Sequence, residues 1–352
     1  MTIKVLIVDD SALMRAVLAE IIRGDPGLEV VGSAPDALAA REMIKTLNPD
    51  VMTLDVEMPK MDGLEFLARV MRLRPMPVIM ISSLTERGSE VTLQALELGA
   101  VDFIAKPRSD AIGGLQAYAE DIREKIRTAY AARLRSAPLA GIARVAESSR
   151  QARSGIASAA LGNKVVAIGA STGGTEAIKD VLAGLPEDVP PIVMVQHMPE
   201  SFTPSFARRL DSLSRLTVVE AQGGEKLLPG HAYLAPGHSH LIVRKSGGVF
   251  LTELLKSDPV NRHRPAVDVL FKSVAELLGR NAIGVILTGM GKDGAQGMLA
   301  MHHAGAWNIG QDQESCVVYG MPREAALVGA VDEVAPLPRI AERILARLRK
   351  ME

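Results

Sequence analysis

The sequence predicts an α/β protein of two domains, each built on an open, mostly parallel sheet, and three observations carry that expectation. Short apolar runs alternate with amphipathic stretches over residues 3–107 and again from Lys164 onward, the pattern of β/α repeats that bury a sheet beneath helices on both faces. Between the two series, Ser136–Gly162 is rich in Ala, Ser, Gly and Arg and has no sustained apolar face, as a linker does. A length of 352 residues is enough for two cores. The expected division is residues 1–120, an interdomain helix and linker over 121–163, and a second domain over 164–352.

In the first series the expected strands are Ile3–Val8, Glu29–Gly32, Val51–Leu54, Val78–Ile81 and Phe103–Ala105. Helical periodicity occupies Ser11–Arg23, Asp36–Leu47, Gly63–Leu73 and Ser89–Leu98, with a further helix over Leu115–Arg135. In the second, Val165–Gly169, Ile192–Gln196 and Ile283–Thr288 have the continuous apolar character of buried parallel strands. Helices are expected at Glu176–Ala183, Thr203–Leu213 and Gly294–Ala304. Between Gly230 and Leu254, alternating pieces with Pro-Gly and Gly-Gly turns predict an antiparallel insertion.

Composition narrows the function classes. A net charge of -1, with 23% charged residues, argues against a general nucleic-acid binder, which would carry a basic domain. Basic residues outnumber acidic ones eight to two between Arg123 and Arg153, which suits either linker solubility or domain docking. No apolar run approaches the roughly 18 residues of a membrane helix, so no direct membrane insertion is expected. Asp9 and Asp10 come too early for a secretory signal, and Cys316 has no partner for an internal disulfide. A reducing, cytoplasmic setting is therefore expected.

Carboxylates gather at the expected strand ends of the first series. Asp9 and Asp10 end the first strand and Asp55 the third. Adjacent parallel strands would bring the three together, where their repulsion calls for a cation. Hard oxygen donors suit Mg²⁺, which accepts phosphate oxygens in its remaining positions, and Asp55 is then placed to form an aspartyl-phosphate. Ser82, ending the fourth strand, offers a hydroxyl to a phosphoryl oxygen, and Lys106, ending the fifth, offers a positive charge.

These residues stand in Val8-Asp9-Asp10-Ser11, Leu54-Asp55, Met58-Pro59-Lys60-Met61-Asp62-Gly63, Ser82 and Lys106-Pro107, and with them the first 120 residues resemble the receiver domain of bacterial response regulators. The resemblance implies a flavodoxin-like fold with strand order 2-1-3-4-5. It further implies that Asp55 takes phosphate from a histidine kinase, with Mg²⁺ held by Asp9, Asp10 and Asp55. Ser82 stands where many receivers carry threonine, and the loop Ser83–Gly88 departs from their commonest pattern.

The second series opens with Gly169-Ala170-Ser171-Thr172-Gly173, a match to G-x-S-x-G, in which a sharp strand-to-helix turn exposes a serine. On its own such a loop suits a hydrolase, a phosphate site or a plain turn. His197 follows the strand Ile192–Gln196, and Asp293 follows the strand beginning at Ile283, so both share the serine's edge of the sheet. Serine needs a base to take its proton, and an aspartate can orient that base. The order Ser…His…Asp differs from that of α/β-hydrolases.

Around these residues, Ile168–Thr175, Val195–Met198, Ser201–Thr203, Leu234–Gly237, Val260–Asp268, Leu287–Gly294 and Val318–Pro322 resemble the catalytic domain of the chemotaxis methylesterases, the CheB family, from residue 164 to about 348. The resemblance implies a triad of Ser171, His197 and Asp293, with the backbone N–H of Met290 at the oxyanion site and no cofactor there. It implies hydrolysis of glutamate γ-methyl esters on chemoreceptors, deamidation of certain receptor glutamines, and adaptation of a sensory response. A chemotaxis histidine kinase would be the phosphodonor, and the unphosphorylated receiver would cover the cleft. The alternative is a phosphorylation-dependent binding protein whose esterase domain is inactive. A DNA-binding output fits poorly, because the second domain is long, neutral and β/α. His238 and His240 lie in a turn-rich stretch without nearby acids and make a poor metal pair. His263 is placed to shape the cleft, and Arg262 and Arg264 suit either an acidic receptor surface or a solvated loop.

Overall fold

The computed structural model describes residues 2–58, 61–83, 85–106, 115–132 and 161–351. Pro59, Lys60, Pro107 and most of the expected linker lie outside the described residues. The chain divides into two compact units, residues 1–135 and 136–352.

In the first unit the strands are β1 (Ile3–Val8), β2 (Leu28–Ala34), β3 (Val51–Asp55), β4 (Val78–Ser82) and β5 (Asp102–Ala105). They form one parallel sheet in the order β2-β1-β3-β4-β5, the flavodoxin-like arrangement. Every residue of β3 and β4 is buried, which is why both read as unbroken apolar runs rather than alternating ones. The helices are α1 (Ala12–Arg23), α2 (Ala37–Leu47), α3 (Gly63–Leu73), α4 (Glu86–Glu97) and α5 (Leu115–Ala131). Ser11, Asp36, Asp62 and Thr85 cap the first four, each side chain accepting a backbone N–H three residues on. Such caps are each worth about 1 kcal/mol. The Thr85 cap also starts α4 three residues before the expected Ser89.

The expected boundary at residue 120 falls inside α5. Ile122, Ile126 and Ala129 are fully buried. The Arg123 Nε donates to the Ile21 carbonyl at 2.8 Å, and the Lys125 Nζ to the Phe103 carbonyl at 2.7 Å. The helix is thus a wall of the first unit rather than an interdomain element, and that unit runs to residue 135.

The second unit holds a seven-stranded parallel sheet in the order β14-β13-β12-β6-β7-β9-β8. Its strands are β6 (Val165–Ala170), β7 (Ile192–Gln196), β8 (Thr217–Glu220), β9 (His231–Leu234), β12 (Ala282–Ile286), β13 (Trp307–Gln311) and β14 (Glu333–Ala335). The antiparallel insertion is narrower than Gly230–Leu254. Only β10 (His240–Ser246) and β11 (Val249–Leu255) form a hairpin, while β9 lies parallel between β7 and β8 with Ala232, Tyr233 and Leu234 buried. Helices α6 (Gly174–Ala183), α7 (Thr203–Leu213), α8 (Val267–Leu278), α9 (Ala295–His303), α10 (Met321–Leu327) and α11 (Leu337–Lys350) complete the unit. Helix α8 is central to the core. Its Val267, Leu270, Phe271 and Val274 are fully buried with Val165, Val193 and Ile286 of the sheet and Met298 and Met301 of α9. The order reverses at β6, with later strands on both sides, and a crevice outside the carboxyl ends at such a point is where α/β sheets bind ligands.

Candidate active site

Register explains which residues meet in the second unit. Ala170 of β6 pairs with Gln196 of β7, and Gly169 with Ile286 of β12, so the next residues of all three strands leave the sheet together. The backbone stitches the loops. His197 N–H donates to the Ala170 carbonyl at 3.2 Å and Ser171 N–H to the Thr288 carbonyl at 3.1 Å. Gln196 Nε2 braces the turn, donating to the carbonyls of Ser171 at 3.0 Å and His197 at 3.1 Å.

The turn must be made of small residues. Gly173, at the N-terminus of α6, has φ +76°, and a Cβ there would lie 2.7 Å from that of Val317. Gly289 permits the closest approach, since its Cβ would stand 2.3 Å from Met321 Sδ and 2.8 Å from Ser171 Cβ. Both polar backbone groups of Gly289 are also engaged. Its N–H donates to the Val318 carbonyl at 3.1 Å, and its carbonyl accepts from Met321 N–H at 2.8 Å. The segment Val318–Met321 thereby holds Gly289 against Ser171, with Met290 the next residue of the loop. Gly289→Ala is expected to lower hydrolysis roughly a hundredfold, the cost of a displacement of about 1 Å at a reacting centre. Steady-state rates on a folded variant check this.

His197 and Asp293 form a buried pair. His197 Nε2 lies 2.9 Å from Asp293 Oδ2, with side-chain exposures of 8% and 1%. Burial alone would push the Asp293 carboxyl up, but it is outweighed. The hydrogen bond and charge of His197, with hydrogen bonds from Asn261 Nδ2 at 2.8 Å and Val267 N–H at 2.6 Å, bring it down to about 2, and Asp268 N–H also donates to it, at 3.2 Å, beside Val267 N–H. The last two donors are the first N–H groups of α8, where a helix favours negative charge. An ionised carboxylate only accepts, so Nε2 carries the histidine's proton. Its other ring nitrogen, Nδ1, is buried without a hydrogen-bond partner. His263 stacks on the ring at 3.7 Å and 11°. Ser171, half-buried, follows the neighbouring strand at the same sheet edge, and no hydrogen bond joins its hydroxyl to the His197 ring.

Sequence reasoning assigned no role to Gln196, Asn261 or Asp268. Gln196 adjoins His197 and so could have been suspected. Asn261 lies 32 residues from Asp293, and nothing local announces their contact. His240 serves loop structure, its Nδ1 taking the Ala266 N–H at 3.1 Å and its Nε2 lying 3.0 Å from the Asp258 carbonyl. Arg264 donates to the Ser257 carbonyl at 3.1 Å.

In the first unit, Val8 pairs with Leu54, and Ser82 with Ala105. Asp9, Asp10, Asp55, Ser82 and Lys106 therefore share one sheet edge. Carboxylate oxygens of Asp9, Asp10 and Asp55 lie within 4.8 Å of one another. Asp9 and Asp55 are buried and Asp10 is exposed. The Lys106 ammonium stands 2.8 Å from Asp55 Oδ2 and 3.3 Å from Asp9 Oδ2. Burial raises the Asp55 carboxyl to about 6; the Lys106 hydrogen bond opposes that rise and the Asp9 charge adds to it. Burial would lower the Lys106 ammonium, but its bonds to Asp55 and Asp9 hold it above the usual lysine range. One ammonium against three carboxylates leaves an excess of negative charge on hard oxygen donors, which fits a divalent cation such as Mg²⁺. Ser82 is fully buried, its Oγ 3.2 Å from the Gly88 carbonyl.

Comparison with known proteins covers both units. A family model described as CheB methylesterase matches residues 166–344, and one described as response regulator receiver domain matches residues 5–112. A protein of Nitrosomonas europaea named protein-glutamate methylesterase/protein-glutamine glutaminase is 64% identical over 349 residues, which is 98% of this chain and 96% of that one. A similarly named protein of Dechloromonas aromatica is 63% identical over 343 residues, 97% of each. The crystal structure of the Thermotoga maritima CheB methylesterase catalytic domain matches with a TM-score of 0.52 at 45% identity, covering 52% of this chain and 98% of that one.

Proposed function

This chain belongs to the CheB methylesterase family and carries a response-regulator receiver domain, and from that premise we propose that it hydrolyses glutamate γ-methyl esters on chemoreceptors when its receiver is phosphorylated. The observation that carries the chemistry is the buried His197–Asp293 pair, with an unengaged Nδ1 at the strand end beside that of Ser171. Ser171 Oγ attacks the ester carbonyl as Nδ1 takes its proton. The tetrahedral oxyanion forms against the Met290 N–H. Asp293 stabilises the imidazolium through Nε2–H. Collapse breaks the bond to the methoxy group, which leaves as methanol with the proton from Nδ1. Water then attacks the acyl-enzyme, again losing a proton to Nδ1, and glutamate and the free serine are released. A receptor glutamine would follow the same course with ammonia as the leaving group.

For the receiver, Asp55 is the carboxylate that accepts the phosphoryl group of a histidine kinase. Asp9, Asp10 and Asp55 would hold Mg²⁺, which when bound offsets charge on the phosphoryl oxygens. Lys106 supplies a further positive charge and Ser82 a hydroxyl donor. Phosphorylation lifts a restraint that the receiver places on the esterase. Each tenfold rise in the active fraction needs about 1.4 kcal/mol of differential stabilisation. The substrate and kinase place this work in the cytoplasm.

The test is methanol release from methylated receptor membranes, with and without a small phosphoryl donor and Mg²⁺, for the native protein and Asp55→Ala. The donor is expected to raise release at least tenfold in the native protein and not in Asp55→Ala. Equal stimulation of both would remove Asp55 from the mechanism. Absence of any release would overturn the esterase reading.

A further inference from the structure

Residues 260–263 form a tight turn directly over the esterase site. Val260 N–H donates to the His263 carbonyl at 3.0 Å and His263 N–H to the Val260 carbonyl at 2.9 Å. The two residues between them, Asn261 and Arg262, have φ +52° and +68°. Two consecutive left-handed residues make a type I′ turn, in which asparagine is at home but arginine is strained by roughly 1–2 kcal/mol. Backbone strain of this kind persists where its surroundings impose it, and such places cluster at active sites.

What the turn presents is the Asn261 amide. Its Nδ2 donates at 2.8 Å to Asp268 Oδ2 and at 2.8 Å to Asp293 Oδ1. Both carboxylates are buried, at 4% and 1% exposure. Asp268 is anchored in turn, its Oδ1 accepting the Gly297 N–H of α9 at 2.6 Å. Two buried carboxylates brought this close would repel, and a neutral group with two N–H donors bridges them and fixes both. Asp293 Oδ1 is thereby occupied by Asn261 and the Asp268 N–H, and Oδ2 is turned toward His197.

We infer that Asn261 is a positioning residue of the esterase: its amide, shared between Asp268 and Asp293, sets the Asp293 carboxylate in the orientation that holds the His197 ring with Nδ1 toward the nucleophile. This rests on the proposed triad. The Asn261 amide is engaged by the two carboxylates, so its effect is expected on the chemical step and not on receptor binding.

Asn261→Gly is the cleanest variant, because glycine takes a positive φ without strain and removes only the amide. It is expected to lower kcat roughly ten- to a hundredfold, with KM within about twofold. Added to Asp293→Ala it is expected to slow the residual rate of Ser171 labelling by a fluorophosphonate no further, since its effect passes through Asp293. Asn261→Asp, which keeps the turn but replaces two donors by a third carboxylate, is expected to lose as much kcat and serves if the glycine variant fails to fold. An unchanged kcat, a loss confined to KM, or a full further loss on top of Asp293→Ala would each overturn the inference. Ser171→Ala measured alongside separates the two readings. If it retains activity, the triad itself is wrong; if it abolishes activity while Asn261→Gly does not, only the role of Asn261 falls.

Discussion

Ser171→Ala is expected to reduce methyl-ester hydrolysis by roughly 10⁴- to 10⁶-fold, the loss seen when a serine nucleophile is removed and only binding and oxyanion stabilisation remain. The variant should fold normally. The bonds described for Ser171 run through its backbone, from its N–H to the Thr288 carbonyl and from Gly174 N–H and Gln196 Nε2 to its carbonyl, and alanine keeps all of them. Stability should therefore shift by no more than about 0.5 kcal/mol. Methanol release is the primary measurement and covalent labelling by a fluorophosphonate the second. Retention of half the native rate in a variant that no longer labels would mean that another residue performs the attack.

Asp293→Asn is the second large effect, and it reaches both rate and stability. Hydrolysis should fall roughly 10⁴-fold, because an amide in place of the carboxylate no longer dictates the tautomer of His197. Stability should fall as well, since Asp293 accepts the first N–H groups of α8. Its carboxyl titrates at about 2 in the folded protein against 3.8 ordinarily. Because the folded value is the lower one, the stabilisation is complete above about pH 4 and is lost as pH falls through about 2. Its size is on the order of 2 kcal/mol. Urea unfolding followed through the single tryptophan, Trp307 on β13, reads this unit directly. The native protein should lose stability between pH 4 and pH 2, and Asp293→Asn should start lower and lose less. Parallel curves for the two proteins would contradict the assignment.

Much of the architecture was legible before any coordinates. Expected and observed bounds coincide for β1, α3, β7 and α7, where strong periodicity met a Gly, Pro or Asp boundary. Buried parallel strands such as β3 and β4 announce themselves as apolar runs. Strands β8 and β13 and helices α8, α10 and α11 were not among the expected elements, and three further features were hidden. Strand β9 alternates like a hairpin strand, yet its partners β7 and β8 are set by distant pairings. Strand β14, with three residues, is too short for any period to register. In the site, the residue types and their strand-end positions were readable, but the donors that hold Asp293 were not. Val267, Asp268 and Asn261 reach it across 25 to 32 residues of chain, and only the fold brings them there.

The reversal of strand order at β6 has a consequence for how the molecule comes into being. Synthesis runs from the N-terminus, and domains generally fold in that order. All five strands of the receiver sheet lie within the first 105 residues. The serine follows at 171, yet its two flanks are laid down far apart: His197 soon after it, and Asp293 nearly a hundred residues later. The Gly289 loop then waits for its partners at Val318 and Met321. No N-terminal portion of the chain shorter than about 320 residues contains the whole site. On the ribosome, the receiver sheet is therefore complete long before the second unit's site, and Ser171 and His197 stay without Asp293 and the Gly289 loop until that later stretch is made.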